Sequence, residues 1–327
     1  MWNILKKINS RLILAIPVTM VAGFFFGSII NPSDLKDLKS LIIPLTFLMV
    51  YPMMVSLNIK HLQDGIKNIR LQVLTQLINF GLIPFLAFAM GQIFFADQPY
   101  LALGLLLAAL LPTSGMTISW TGFAKGNMGA AINMTVIGLT LGSLVTPFYI
   151  RALMGAEIDI NLQLVFNQIM FIVFLPMVLG FITRQLLLKS FGPEAFKKKW
   201  APRFPALSTI GVLGIVFVAM ALKAKTVAKQ PELLIYILMV LLIIYLINFT
   251  ISTLIGRTFF HRDDAIAMVY GTVMRNLSIA LAIAMTTFGE KGTDAALVIA
   301  AAYIIQVQAA AWYLKLTDRI FGKPEII

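Results

Sequence analysis

From one end of the chain to the other, apolar stretches of about 20 residues follow one another with only short polar breaks between them. A stretch of that length crosses a hydrocarbon core of ~30 Å as a helix, and in lipid a spanning segment has to satisfy its backbone internally. Ten spans can be marked, at 11–30, 40–58, 70–95, 100–123, 128–150, 162–188, 204–222, 232–256, 265–288 and 292–316. Of the 327 residues 59% are hydrophobic and only 12% charged, which is too little polar surface to face water on all sides. The pattern predicts an all-α polytopic membrane protein set in a lipid bilayer, with the longer spans tilted. Turn-rich breaks such as NPSD (31–34), ADQP (96–99) and AKGN (124–127) separate the spans, and none leaves room for a soluble domain. The first apolar run, reaching Ile30 behind Lys6, Lys7 and Arg11, is longer than a signal-peptide core and reads as a retained span.

The net charge of +12 follows topology. With the N-terminus inside, most of the 26 Lys and Arg residues fall on the inner side, so both termini are expected in the cytoplasm of a cell-membrane protein. Lys223, Lys225 and Lys229 lie on the outer side and go against the rule. The charge is anchoring, and neither it nor KKKW at 197–200 calls for a nucleic acid partner. The chain has no cysteine, and His61 and His261 sit in loops without ligand spacing, so neither a metal nor another cofactor is expected. No nucleophile and base share one depth, which argues against an enzyme. The sequence implies no particular oligomeric state.

Ten spans divide into five and five, over residues 1–155 and 156–327. An odd number of spans per half makes the second half run opposite to the first, the inverted-repeat plan of many secondary transporters. The third span of each half carries the same tetrapeptide, LINF, at 77–80 and at 246–249.

All 14 acidic residues lie in loops or at span ends, which leaves Arg275 as the one charge deep in a span, in YGTVMRNLSIALAIA (270–284). An arginine there costs ~3 kcal/mol on insertion scales and lies roughly 15 Å from either interface, beyond the reach of its side chain. Two roles fit it: a clamp on backbone carbonyls, or a contact to a transported anion, whose carboxylate, phosphate or sulfate oxygens suit a guanidinium fork. The fourth span is interrupted at the matching place of the first half, in LLLAALLPTSGMTISWTGFAKGN (105–127). Pro112 removes a helix hydrogen bond, Gly115 loosens the backbone, and Thr113, Ser114 and Thr117 supply hydroxyls. Paired with a break at Gly271, Arg275 and Asn276, this marks a midplane site. Half-helix N-termini there would add positive dipole to Arg275 and favour an anion.

At these two spans the chain resembles the bile acid:sodium symporter superfamily, which includes the arsenical-resistance (arsenite permease) family. LPTSGMTISWTGFAKGN (111–127) is similar to the Pro-initiated fourth-helix segment of that superfamily, and VMRNLSIALAIA (273–284) to its ninth-helix segment. FLMVYPMM (47–54), Met116 and Trp120 are nearer the arsenical-resistance branch. The resemblance implies broken, crossing fourth and ninth helices, and a panel domain (spans 1, 2, 6 and 7) rocking against a core domain (spans 3–5 and 8–10). It also implies sodium ligands that this chain has largely lost. Gly271 and Arg275 stand where sodium-coupled members carry Glu and Gln, and Thr117 and Ile118 match a Ser-Asn pair. Ala131 matches a Ser, Asn79 a Gln, and Thr135 keeps a Thr, so that Thr117 and Thr135 are residual sodium-site matches. Against the arsenite permeases, Thr113 replaces a Cys and Ser278 a Glu. A sodium ion beside an unpaired guanidinium is unfavourable in low dielectric, so Arg275 reads as a substitute for bound sodium.

The expected protein is an alternating-access carrier of a small anionic solute that works without the usual sodium sites. Arg275 and Asn276 contact the solute, Thr113, Ser114, Thr117, Asn79 and Asn248 line the cavity, and Pro112, Gly115 and Gly271 break the helices. Arsenite or antimonite efflux and sodium-coupled organic anion symport are the alternatives, with a channel and a non-transporting scaffold as further classes.

Overall fold

In a computed structural model the apolar runs are helices nearly throughout, and the structure describes residues 2–9, 11–30, 37–56, 68–158 and 161–323. The NPSD break at 31–34, together with His61, Asp64, Asp159 and Glu325, lies outside the described residues. In chain order the helices are α1 (Trp2–Asn9), α2 (Leu12–Ile29), α3 (Ile42–Ser56), α4 (Ile69–Phe94), α5 (Pro99–Leu110), α6 (Gly115–Phe123) and α7 (Met128–Met154). They continue with α8 (Leu162–Trp200), α9 (Arg203–Lys229), α10 (Glu232–Phe259), α11 (Arg262–Val273), α12 (Leu277–Thr287) and α13 (Gly292–Phe321).

Among the described residues seven helices are long and apolar enough to cross a membrane: α3 with the turn before it, α4, α7, α8, α9, α10 and α13. Three of the expected spans are represented by shorter apolar helices, at Leu14–Ile29, Pro99–Leu110 and Leu277–Thr287. The last two are short because the runs at 100–123 and 265–288 are each split in two. A further difference concerns the run expected at 162–188, which continues to Trp200 and bends at Gly192 (φ +77°), just before Pro193. KKKW is accordingly helical, within a π-helical turn at Phe196–Trp200.

The chain divides into two units, each drawing on three separate segments. One comprises Met1–Leu57, Ile160–Ile235 and Ser278–Ala300, and in it α9 packs along α2 and α3. Small residues permit that approach: a Cβ on Gly211 would lie 2.5 Å from the Met49 nitrogen, and Ser208 Oγ donates to the Met49 carbonyl at 2.6 Å. The other unit comprises Asn58–Asp159, Tyr236–Leu277 and Ala301–Ile327. It contains both helix breaks. Its α5 is apolar all round and buried all round from Leu101 to Leu110, as such a helix must be inside a bundle.

Candidate functional site

The site begins where two helices fail. Pro112 has no N–H to continue α5, which stops at Leu110. The chain resumes as α6 at Gly115, behind a capping box in which Ser114 Oγ accepts from the Met116 N–H (3.2 Å) and Thr117 Oγ1 from the Ser114 N–H (3.1 Å). Between them Thr113 takes φ +65°, a left-handed conformation that strains a β-branched residue. Its hydroxyl donates to the Pro112 carbonyl at 2.6 Å and lies 3.3 Å from those of Met134 and Thr135. In the other half α11 stops at Val273, Met274 is extended, and α12 starts at Leu277.

The two breaks satisfy each other. The Thr113 N–H donates to the Met274 carbonyl at 2.7 Å and the Asn276 N–H to the Leu111 carbonyl at 2.8 Å, forming an antiparallel bridge between Pro112 and Arg275. Non-helical backbone is tolerated at membrane depth only when buried and paired in this way.

Arg275 is 4% exposed. Its Nη1 donates to the Ala109 carbonyl, in the last turn of α5, at 3.2 Å, while Nη2 is buried without a partner among the described residues. Beside it is a cavity of about 20 Å³, lined by Ile83, Leu105, Leu241, Ile244, Tyr245 and Asn248, with room for about one water. The sequence reading put half-helix N-termini next to this charge. In the structure α12 starts two residues after it, at Leu277, and C-termini lie beside it as well: the guanidinium bonds the end of α5, and the residue itself follows the end of α11. Both ends carry partial negative charge on carbonyls that have no partner within their own helix, an environment for a cation.

Asn79 and Asn248 act on the same helix end. Asn79 Nδ2 donates to the Gly271 carbonyl at 3.1 Å and Asn248 Nδ2 to the Thr272 carbonyl at 3.0 Å, so the two LINF asparagines cap consecutive carbonyls of α11. Asn79 lies in a π-helical turn, Leu77–Leu82, just ahead of Pro84. Proline cannot bond the Phe80 carbonyl, which the Tyr149 hydroxyl takes up at 2.6 Å. Around Asn248, Ser252 Oγ donates to Asn248 Oδ1 at 3.1 Å and lies 2.6 Å from the Thr272 hydroxyl.

Several expected roles change. Gly271 does not break the ninth helix: it is buried inside α11, and a Cβ there would lie 2.5 Å from Met134 Sδ, so close packing selects it. Gly115 opens α6, and the first break proper spans residues 111–114. The structure brings Pro112, Thr113, Arg275 and Asn276 together at the bridge, and Arg275 and Asn248 onto one cavity. Ser114 and Thr117 stay at the N-terminus of α6 and do not line that cavity. Thr135 bonds within its own helix, to the Ala131 carbonyl at 2.7 Å. AKGN turns the chain at Lys125 (φ +53°), and Asn127 Nδ2 donates to Asp264 Oδ1 at 2.7 Å, tying α7 to the start of α11.

Two residues were missed. Gln306 Oε1 accepts from both the Arg275 N–H (2.7 Å) and the Tyr245 hydroxyl (2.8 Å), and its Nε2 donates to the Arg275 carbonyl at 3.3 Å. The available signal was an amide and a phenol inside apolar runs, where a buried polar group has to find a partner.

A profile of the Sodium Bile acid symporter family matches residues 43–230. The Bacillus subtilis protein YbaS is 23% identical over 84% of this chain and 87% of its own length. The arsenical-resistance protein Acr3 of Corynebacterium glutamicum is 21% identical over 76% of this chain and 70% of its own. Sodium/bile acid cotransporter 7 of Xenopus tropicalis is 21% identical over 71% of this chain and 68% of its own.

Proposed function

The chain belongs to the Sodium Bile acid symporter family, and from that premise we propose a secondary transporter that moves a small anionic solute by alternating access and carries its own cation in place of sodium. One observation carries the reading: Arg275 Nη1 donates to the Ala109 carbonyl at the C-terminal turn of α5, with the residue itself just beyond the C-terminus of α11. In transporters built on broken helices, such C-terminal ends coordinate the coupling cation. A tethered guanidinium there supplies the positive charge permanently, and a sodium ion brought beside it would meet repulsion in low dielectric. The solute is then assigned to the helices that resume beyond the two breaks. The N-terminus of α6 at Ser114 and Thr117, and that of α12 next to Asn276, present the positive dipole that an anion favours. The same reading has ten spans in two inverted repeats, a panel rocking against a core, and both termini in the cytoplasm of a cell-membrane protein.

Arsenite or antimonite efflux is the second reading, supported by the likeness to Acr3. Its difficulty is chemical: where a thiolate is wanted stands Thr113, fully buried and bonded to Pro112.

A thermal-shift screen of the purified protein against small carboxylates, phosphate, sulfate and arsenite, with sodium or with choline, separates the readings. A ligand at 100 times its dissociation constant stabilises the folded state by ~2.7 kcal/mol. The expected outcome is a shift with an oxyanion or carboxylate that is equal in sodium and choline. A shift seen only in sodium would overturn the tethered-cation reading, and one seen only with arsenite would favour efflux.

A further inference from the structure

Residues 274–276 run as a short extended segment, and only one of its edges is accounted for by the bridge to 111–113. In an antiparallel pair, successive residues turn their N–H and C=O groups to opposite edges. Met274 and Asn276 use the edge facing the fourth-helix break, so both peptide groups of Arg275 face the other way. Left there unpaired, deep in a membrane protein, they would be costly.

The partner on that edge is a side chain. Gln306, in α13 and 0% exposed, accepts from the Arg275 N–H and donates to the Arg275 C=O. Its carboxamide stands where a third strand's peptide would stand. Few side chains can do this, because the role needs a donor and an acceptor on one planar group. Which end of the amide faces which group is fixed by the backbone itself, since the Arg275 N–H can only donate and its C=O only accept, and the Tyr245 hydroxyl adds a second donor to the same Oε1 at 2.8 Å.

We propose that Gln306 is the positioning residue of this transporter's fixed charge. It holds the Arg275 backbone extended so that the guanidinium reaches the Ala109 carbonyl, and Tyr245 holds Gln306 in place through the same Oε1. The proposal deepens the tethered-cation reading and rests on it for its functional meaning, while its structural content stands apart from sodium or substrate.

Hydrogen exchange on the full-length protein in detergent tests it, read as protection of the segment 274–277 after correction for intrinsic rates. Gln306→Leu should speed exchange there about tenfold or more, with 99–110 in α5 unchanged. Gln306→Glu gives the readout that a merely space-filling role would not move. A protonated carboxyl offers one acceptor and one donor, as the amide does, whereas an ionised one has no donor for the Arg275 carbonyl. Protection in Gln306→Glu should therefore match the parent protein at low pH and fall as the pH rises through that carboxyl's titration. If the Leu variant does not fold, Tyr245→Phe decides, with exchange about threefold faster confined to the same segment. Unchanged protection at 274–277 in the folded variants, or a Gln306→Glu pH profile like that of the parent, would overturn the proposal. Because no solute or sodium enters the measurement, its failure is distinct from failure of the tethered-cation reading.

Discussion

At the residue scale the decisive group is Arg275, and its substitution separates a cation surrogate from an anion contact. Arg275→Gln removes the charge and keeps an amide at the C-terminal ends of α5 and α11, whose carbonyls still favour a cation. The expected outcome is gain of dependence: melting of the purified variant should move upward when choline is replaced by sodium, while the parent shows no such shift. A variant indifferent to sodium would return Arg275 to a plain clamp or an anion contact. The sequence made Arg275 conspicuous, because a lone charge in an apolar run cannot be casual. It could not say which way the side chain turns. That depends on Ala109, 166 residues away, whose carbonyl is available only because Pro112 ends α5. The same limit explains Asn79 and Asn248. Both were read as cavity-lining amides; Asn248 does line the cavity beside Arg275, and both also cap α11, a role that exists only once α4, α10 and α11 are packed together.

At the element scale, the two breaks were legible from Pro112 and from Arg275, but which glycine matters was not. Sequence treats Gly115 and Gly271 as points of weakness, whereas the spatially constrained glycines near the first break lie in α7. A Cβ at Gly138 would be 2.7 Å from Thr113 Oγ1 and 3.4 Å from Pro112 Cγ, pressing on the strained turn itself. Gly142 meets the Leu110 carbonyl and Pro112 Cδ, each at 3.0 Å. At Gly115 nothing lies within 4 Å, and the residue opens a helix without a left-handed φ. Gly138→Ala should therefore destabilise the protein by about 1–3 kcal/mol through overpacking. Gly115→Ala should be neutral or stabilise it by up to ~1 kcal/mol through better helix propensity. Melting curves of the two variants in one detergent check both. A damaging Gly115→Ala with a silent Gly138→Ala would mean that the first break is held by backbone freedom and not by packing from α7.

At the scale of the whole molecule, charge and connectivity were unequally readable. Of the three lysines expected to go against the inside rule, Lys223 has a local partner: it pairs with Asp294 at 2.6 Å, and nearby Lys39 pairs with Glu290 at 3.2 Å, so part of the positive charge there is neutralised locally. Connectivity is a different matter, since periodicity marks spans but not which of them pack together. The sequence suggests halves at 1–155 and 156–327, and each half supplies segments to both units: the first gives Met1–Leu57 to one and most of Asn58–Asp159 to the other. The second gives Ile160–Ile235 and Ser278–Ala300 to one, and Tyr236–Leu277 and Ala301–Ile327 to the other. A half expressed alone would leave α5, buried on every side in the whole chain, and the Pro112–Arg275 bridge without their partners. Unpaired peptide groups in that interior cost several kcal/mol each, against a typical total stability of about 5–15 kcal/mol. Opening the chain in the connection between α7 and α8 should therefore give halves that aggregate when made singly and elute as one monodisperse complex when made together, read by fluorescence-detected size exclusion. A first half that is monodisperse on its own would mean that the two breaks are satisfied within each repeat, and that the bridge follows from assembly and is not a condition for it.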